Sequence, residues 1–215
     1  ALGMKEGGTV SILGFNKPEW VIVDVACMAA GGAPAGIYTT CSPNEVQYII
    51  NHAESIMVLL ENEEQWAKVD AERSKLPELK YAVMMEGAPT IDDPMVLSWE
   101  EFLAKGDEVE DSVLEERMNK LEEDQMATLI YTSGTTGPPK AVMLTHKNLT
   151  WTASSAKDLV ENTHEDCSLS YLPLSHIAEQ MFSIHGPITV GSKVYYAESI
   201  EKVADNLKEV QPHVV

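Results

Sequence analysis

No window of this sequence approaches the roughly 20 consecutive apolar residues that a membrane-spanning helix needs. Hydrophobic residues make up 44% of the chain, but they come in short runs. The opening ALGMKEGG lacks the basic end and the long apolar core of a signal peptide. Basic residues are scarce, with 15 Lys and Arg against 34 Asp and Glu, a formal net charge of −19. A surface of that sign repels nucleic acid phosphates over its whole field, which argues against sequence-independent DNA or RNA binding. Cysteine is sparse as well. Cys27, Cys41 and Cys167 are odd in number and far apart, and they fit neither a disulfide framework nor metal-ligand spacing. A reducing, cytosolic setting is the simplest expectation. Internal repeats and low-complexity tracts are missing too.

What is present is an alternation of short β-branched runs with helical patterns. Strands are expected at 10–13, 33–38, 56–60 and 81–85, with helices between them at 18–31, 43–53 and 63–74. Pro18 suits a first helical turn, Gly31-Gly32 a helix stop, and Ser42 with Glu45 has capping-box spacing. After a loop at 86–94 comes an acidic stretch, 100–124, where Asp and Glu crowd around Val113, Leu114, Met118 and Leu121. It reads as a solvated, mobile amphipathic helix rather than an acidic docking site. Further strands are expected at 127–131, 140–144, 169–172 and 193–196, with helices from Thr145 to about Val160, at 177–188 and at 200–210. The rhythm predicts an α/β fold of largely parallel sheets flanked by helices. One compact unit, or two subdomains joined near 105–125, accommodates it. Both ends read as cut, Ala1-Leu2-Gly3 like the end of a helix and 211–215 like the start of a strand, so the expectation is an internal piece of a longer protein.

Between two of these strands lies Tyr131-Thr-Ser-Gly-Thr-Thr-Gly-Pro-Pro-Lys140, with four hydroxyls besides the tyrosine, two glycines and a lysine in ten residues. Gly134 and Gly137 permit positive φ and close backbone approach to a ligand. Thr132, Ser133, Thr135 and Thr136 add donors for phosphate oxygens, and Lys140 adds a compact positive charge. Successive N–H groups in such a turn form an anion-binding concavity. Pro138-Pro139 stiffens the exit and lowers the entropy lost on ligand binding. A Walker A loop is excluded, because its lysine opens a helix whereas Lys140 leads into Ala-Val-Met-Leu.

Residues 131–146, YTSGTTGPPKAVMLTH, resemble the phosphate-binding signature of the adenylate-forming superfamily. Leu172-Pro-Leu-Ser-His176-Ile-Ala-Glu179-Gln resembles the Leu-Pro-x-x-His-x-x-Glu segment of long-chain fatty-acyl-CoA synthetases. Upstream, 13–20 (LGFNKPEW) and 31–40 (GGAPAGIYTT) look like the bubblegum branch of those enzymes. The resemblance runs nearly the whole chain and is weakest over 86–125. It implies an incomplete AMP-binding domain over 1–215, without the family's small C-terminal domain. It also implies a two-step reaction in which a fatty-acid carboxylate attacks the α-phosphate of ATP, pyrophosphate leaves, and the thiol of CoA takes the acyl group.

By the same resemblance, Thr132, Ser133, Gly134, Thr135, Thr136, Gly137, Pro138, Pro139 and Lys140 bind ATP phosphates, and Thr132 also meets a bridging Mg²⁺. His176 is implied beside the acyl pocket; a helix cap or a core histidine is its alternative. Glu179 either orients His176 or faces solvent. Met181-Phe182-Ser183-Ile184 either lines an acyl channel or packs an amphipathic helix. Tyr131 and the tryptophans Trp20, Trp66, Trp99 and Trp151 read as packing, and Thr145 with His146 and Asn148 as a helix start. The family's second ATP-binding glutamate, its ribose-binding aspartate and its C-terminal lysine have no counterpart in these 215 residues, so the piece alone is expected to be inactive. A truncated nucleotide-binding or interaction isoform, and a ligase for another carboxylic acid, stand as rival functions. A fatty substrate implies peripheral contact with the endoplasmic reticulum or other membranes, which the negative charge opposes at anionic surfaces.

Overall fold

Residues 9–13 and 33–37 carry no charged side chain on either face, the pattern of strands covered on both sides. The computed structural model, which describes residues 1–132 and 137–214, places them as neighbours. β1 (Thr9–Leu13) and β2 (Ala33–Ile37) are fully buried and pair in parallel. β3 (Met57–Leu60), β4 (Tyr81–Met84) and the short β5 (Val96–Leu97) extend the sheet beyond β1. β6 (Met126–Thr132) joins beside β2, and β7 (Lys140–Thr145) forms a hairpin with it. The seven-stranded order is β5-β4-β3-β1-β2-β6-β7. Every pairing in it is parallel except β6 with β7. The expected α/β architecture is therefore present, with one antiparallel edge.

Alternation along each strand sends side chains to two cores. Leu13, Leu60, Met84, Leu129 and Tyr131 pack with α2 (Pro43–His52) and α3 (Glu63–Glu72) on one face. Ile12, Leu59, Val83 and Met85 pack with α1 (Pro18–Ala29) and α4 (Trp99–Gly106) on the other. α2 begins as its sequence dictates. The Ser42 hydroxyl accepts from the Glu45 N–H, and the Glu45 carboxylate accepts from the Ser42 N–H at 2.8 Å. At the end of α1 the chain turns through Gly31 at φ +79°, a left-handed conformation natural to glycine.

The acidic stretch forms two helices, α4 and α5 (Asp111–Asn119), instead of one. Val113, Leu114 and Met118 face solvent. What holds α5 is Arg117, whose guanidinium donates to the carbonyls of Ala30 at 3.1 Å and Met4 at 3.0 Å.

A second, two-stranded parallel sheet pairs β8 (Cys167–Ser170) with β9 (Lys193–Tyr196). β8 starts and ends two residues earlier than the sequence suggested. α6 (His146–Val160) leads to it from the hairpin, and α9 (Val203–Val210) follows β9. The helix expected at 177–188 is interrupted. α7 (Ile177–Gln180) and α8 (Gly186–Val190) flank a π-helical turn, Met181–His185. Pro187 has no N–H to continue the α ladder. Gly186 instead donates to the Met181 carbonyl, an approach that a Cβ would block at 2.7 Å.

Trp20, Trp66 and Trp99 are buried, as expected of packing residues, whereas Trp151 is 70% exposed. Helical periodicity alone does not mark which face of α6 is covered. Among the described residues no helix is long and apolar enough to cross a membrane.

Candidate functional site

The carboxyl ends of parallel strands leave a crevice where backbone groups point outward and the connecting loops diverge. Here the ends of β2 and β6 open onto a cavity of about 380 Å³. Tyr38, Thr40 and Cys41 line it from the exit of β2, and Glu45 and Ile49 from α2. Ile130, Tyr131 and Thr132 line it from β6, with Pro139 behind them and His176 and Ile177 closing the far side. Thr132 faces Lys140 across the hairpin, and both are exposed. Gly137 adopts φ +93°, the freedom for which a glycine was expected in this loop. Ser133, Gly134, Thr135 and Thr136 lie outside the described residues. Gly137 and Pro138 are exposed at the loop's exit.

His176 arrives through a connected set of buried polar groups. Asn16, 2% exposed on the loop after β1, donates from Nδ2 to the Ser170 hydroxyl and to the Leu172 carbonyl, both at 2.7 Å. Its Oδ1 accepts from the Leu174 N–H at 3.3 Å. Ser170 in turn donates to Glu179 at 2.6 Å, and Ser183 donates to the same carboxylate oxygen at 2.7 Å. Gln180 closes the set by donating to the Leu174 carbonyl at 2.9 Å. These bonds tie the 171–176 segment to the loop after β1 and to α7, which sets where His176 enters the cavity. Hydrogen bonds to a carboxylate, as from the two serine hydroxyls to Glu179, tend to be short.

Glu179 thus neither orients the His176 ring nor faces solvent; it is 4% exposed and bound to two serine hydroxyls. Spacing of three residues from His176 suggested a partnership, but the carboxylate turns inward to the hydroxyls of Ser170 and Ser183. His176 caps α7, its Nδ1 accepting from the Ala178 N–H at 3.2 Å. That bond leaves the proton of the neutral ring on Nε2. The histidine is a helix cap, one of its two expected readings, and it also lines the cavity. Of Met181-Phe182-Ser183-Ile184, Ser183 and Ile184 are buried and Phe182 is 59% exposed. Met181 and Phe182 border a groove of about 60 Å³ between α6 and α8.

Sequence reasoning missed Tyr38, Cys41, Glu45 and Asn16. Burial raises the Tyr38 phenol above its ordinary value. Burial, with Glu45 nearby, likewise raises the Cys41 thiol. Both groups stay neutral at pH 7, and Lys140 stands beside the cavity as the hairpin partner of Thr132. A signal did exist for this segment, since a strand followed at once by Tyr-Thr-Thr-Cys places polar side chains at a carboxyl end.

Tyr131 is buried as expected, with its ring in the α2-facing core. Burial, then Tyr48, pushes its phenol up to about 12. Its hydroxyl lies 2.8 Å from His52 Nδ1.

Comparison with known proteins bears on the family and the fold. The chain is 42% identical over 211 residues to the long-chain-fatty-acid–CoA ligase ACSBG2 of Gallus gallus, covering 94% of this chain and 28% of that protein. It is 41% identical to the ACSBG2 ligase of Homo sapiens, covering 99% of this chain and 33% of the relative. It therefore spans about a third or less of these curated relatives. Among solved structures, the anthranilate CoA ligase AuaEII in complex with anthranoyl-AMP superposes with a TM-score of 0.79 at 22% identity, over 98% of this chain and 40% of that one. The likeness establishes the fold. The family model of the AMP-binding enzymes matches residues 1–215, and the chain belongs to that family.

Proposed function

We propose that this chain forms the phosphate-binding part of an ATP-dependent long-chain fatty acid–CoA ligase. The carrying observation is the cavity at the ends of β2 and β6, which brings Thr132 and Pro139 of the hydroxyl-rich loop against His176 of the Leu-Pro-x-x-His segment. In the first step a fatty-acid carboxylate oxygen bonds to the α-phosphorus of ATP and the bond to pyrophosphate breaks. In the second, the CoA sulfur bonds to the acyl carbon and AMP leaves. Neither step calls for a covalent protein nucleophile, so catalysis rests on positioning and charge neutralisation. The loop from Ser133 to Lys140 would hold the β- and γ-phosphates, with Lys140 neutralising charge on departing pyrophosphate. His176 would offer its Nε2–H on the acyl side.

Among the described residues no group of three or more His, Cys, Asp or Glu side chains is placed to hold a metal. Thr132 would add a hydroxyl to a Mg²⁺ that the ATP phosphates also hold.

The substrate reading is tested by ATP–pyrophosphate exchange with the full-length protein across acid classes. Exchange that depends on long-chain fatty acids supports it. Exchange driven instead by aromatic or amino acids, with fatty acids inert, contradicts it.

A further inference from the structure

Strand pairing holds the end of β6 unevenly. On the β2 side the parallel register runs through Ala35 with Leu129 and Gly36 with Ile130 and stops there. On the other side the hairpin continues through Tyr131 with Ala141 and Thr132 with Lys140. The root of the phosphate loop therefore projects beyond β2, braced by main-chain pairing on one flank only.

A side-chain tether takes over on the open flank. His52, the last residue of α2, places Nδ1 2.8 Å from the Tyr131 hydroxyl. Its ring stacks on Tyr48 one helical turn back, with centroids 5.3 Å apart at 27°, and meets the Tyr131 ring edge-on at 5.7 Å and 82°. The same helix lines the cavity directly through Glu45 and Ile49. A buried phenol without a partner carries a desolvation penalty, so this contact fixes where the Tyr131 side chain, and with it the Thr132 backbone, can sit.

We propose that His52 is a positioning residue for the phosphate-binding loop, acting through the Tyr131 hydroxyl while remaining outside the cavity. This rests on the ATP-binding reading above but not on the identity of the acid. The proton of the pair is placed by either tautomer, since Tyr131 can donate to Nδ1 or accept from it.

The test is a double-mutant cycle in the full-length protein, read as ATP dissociation constant by titration calorimetry and as KM for ATP, fatty acid and CoA. Tyr131→Phe keeps the ring and removes the hydroxyl, and His52→Phe keeps a ring on Tyr48 and removes the nitrogen. Each should weaken ATP binding about three- to tenfold, the range of one neutral hydrogen bond, with fatty-acid and CoA KM values within twofold. The double variant should be no weaker than either single one. His52→Asn, whose amide can reach the same hydroxyl, should recover most of the loss. Independent, multiplying losses in the double variant would overturn the proposal, as would an equal fall for all three substrates or an unchanged ATP affinity in both single variants. A wild type that binds ATP but activates no fatty acid would refute the substrate reading alone, because the cycle is measured on ATP binding.

Discussion

Gly36 gives the sharpest stability prediction. It lies in the middle of β2, away from any positive φ, where a glycine ordinarily weakens a strand by about 0.5–1 kcal/mol relative to alanine. Gly36→Ala should therefore stabilise if the space were open. It is not. A Cβ there would sit 2.8 Å from Ser175 Cα, 3.1 Å from Trp20 Cζ2 and 3.2 Å from Ser175 Cβ. Trp20 is 0% exposed and Ser175 4%, so neither has room to withdraw, and the nearest atom is backbone. Overpacking of a tight site costs about 1–3 kcal/mol, which outweighs the propensity gain. The net effect is a destabilisation of roughly 1–2 kcal/mol. In a domain of this size that lowers the melting temperature by several degrees, at about 2–4 °C per kcal/mol. Ser175 carries His176, so the displacement should also reach the cavity and raise the KM for the acid more than that for ATP. Thermal melting and steady-state kinetics of the full-length protein measure both. A Gly36→Ala variant that melts at or above wild type would refute the close approach of β2 to the 171–176 segment.

Asp24 is 1% exposed, neither carboxylate oxygen has a partner among the described residues, and burial raises its pKa to about 8. A carboxyl whose folded pKa is raised is protonated in the fold and ionised in the unfolded chain between about pH 4 and pH 8. Stability then falls with rising pH across that window, by at most about 1.4 kcal/mol per unit. Asp24→Asn should remove that slope, melting higher than wild type at pH 8 and converging with it near pH 4; parallel pH profiles would rule the burial out. Thr145→Ala removes the capping box at α6, where the Thr145 hydroxyl accepts from the Asn148 N–H at 3.2 Å. It should cost about 1 kcal/mol, seen in denaturant melts, and no change would show the cap to be idle. Asn16→Ala leaves the Leu172 carbonyl and the Leu174 N–H without their bonds. It should raise the fatty-acid KM several-fold while leaving ATP affinity within twofold, and an equal loss for both substrates would contradict its place on the acyl side.

Local chemistry made much of the fold legible. β1, β2 and β3 follow from β-branched and small apolar runs, α2 from capping-box spacing at Ser42 and α6 from a cap at Thr145. The hairpin was legible because Lys140 led into a strand and so excluded a helix. What stayed hidden depends on contacts between distant segments. Nothing beside Asn16 in sequence reveals that it bonds across to Ser170 and Leu172, and nothing beside Glu179 announces Ser170. The π-helical turn at 181–185, inside what read as one helix over 177–188, depends on the Gly186 contact with Met181. The exposed faces of α5 and Trp151 escaped notice because apolar periodicity reports amphipathicity and not what covers it. At the site, the loop and His176 were found by motif. Tyr38, Cys41 and His52 enter only when parallel strands bring 38–52 beside 130–132.

The central claim is that the loop ending in Lys140 is ATP-binding machinery serving fatty-acid activation. The most direct measurement is fatty-acid-dependent ATP–pyrophosphate exchange by the full-length protein, wild type against Lys140→Ala. Loss of charge neutralisation predicts a fall of at least tenfold in kcat/KM for ATP, in line with about 1.5–3 kcal/mol for a charged hydrogen bond, with fatty-acid affinity nearly unchanged. An unchanged rate and apparent affinity with ATP would contradict the account.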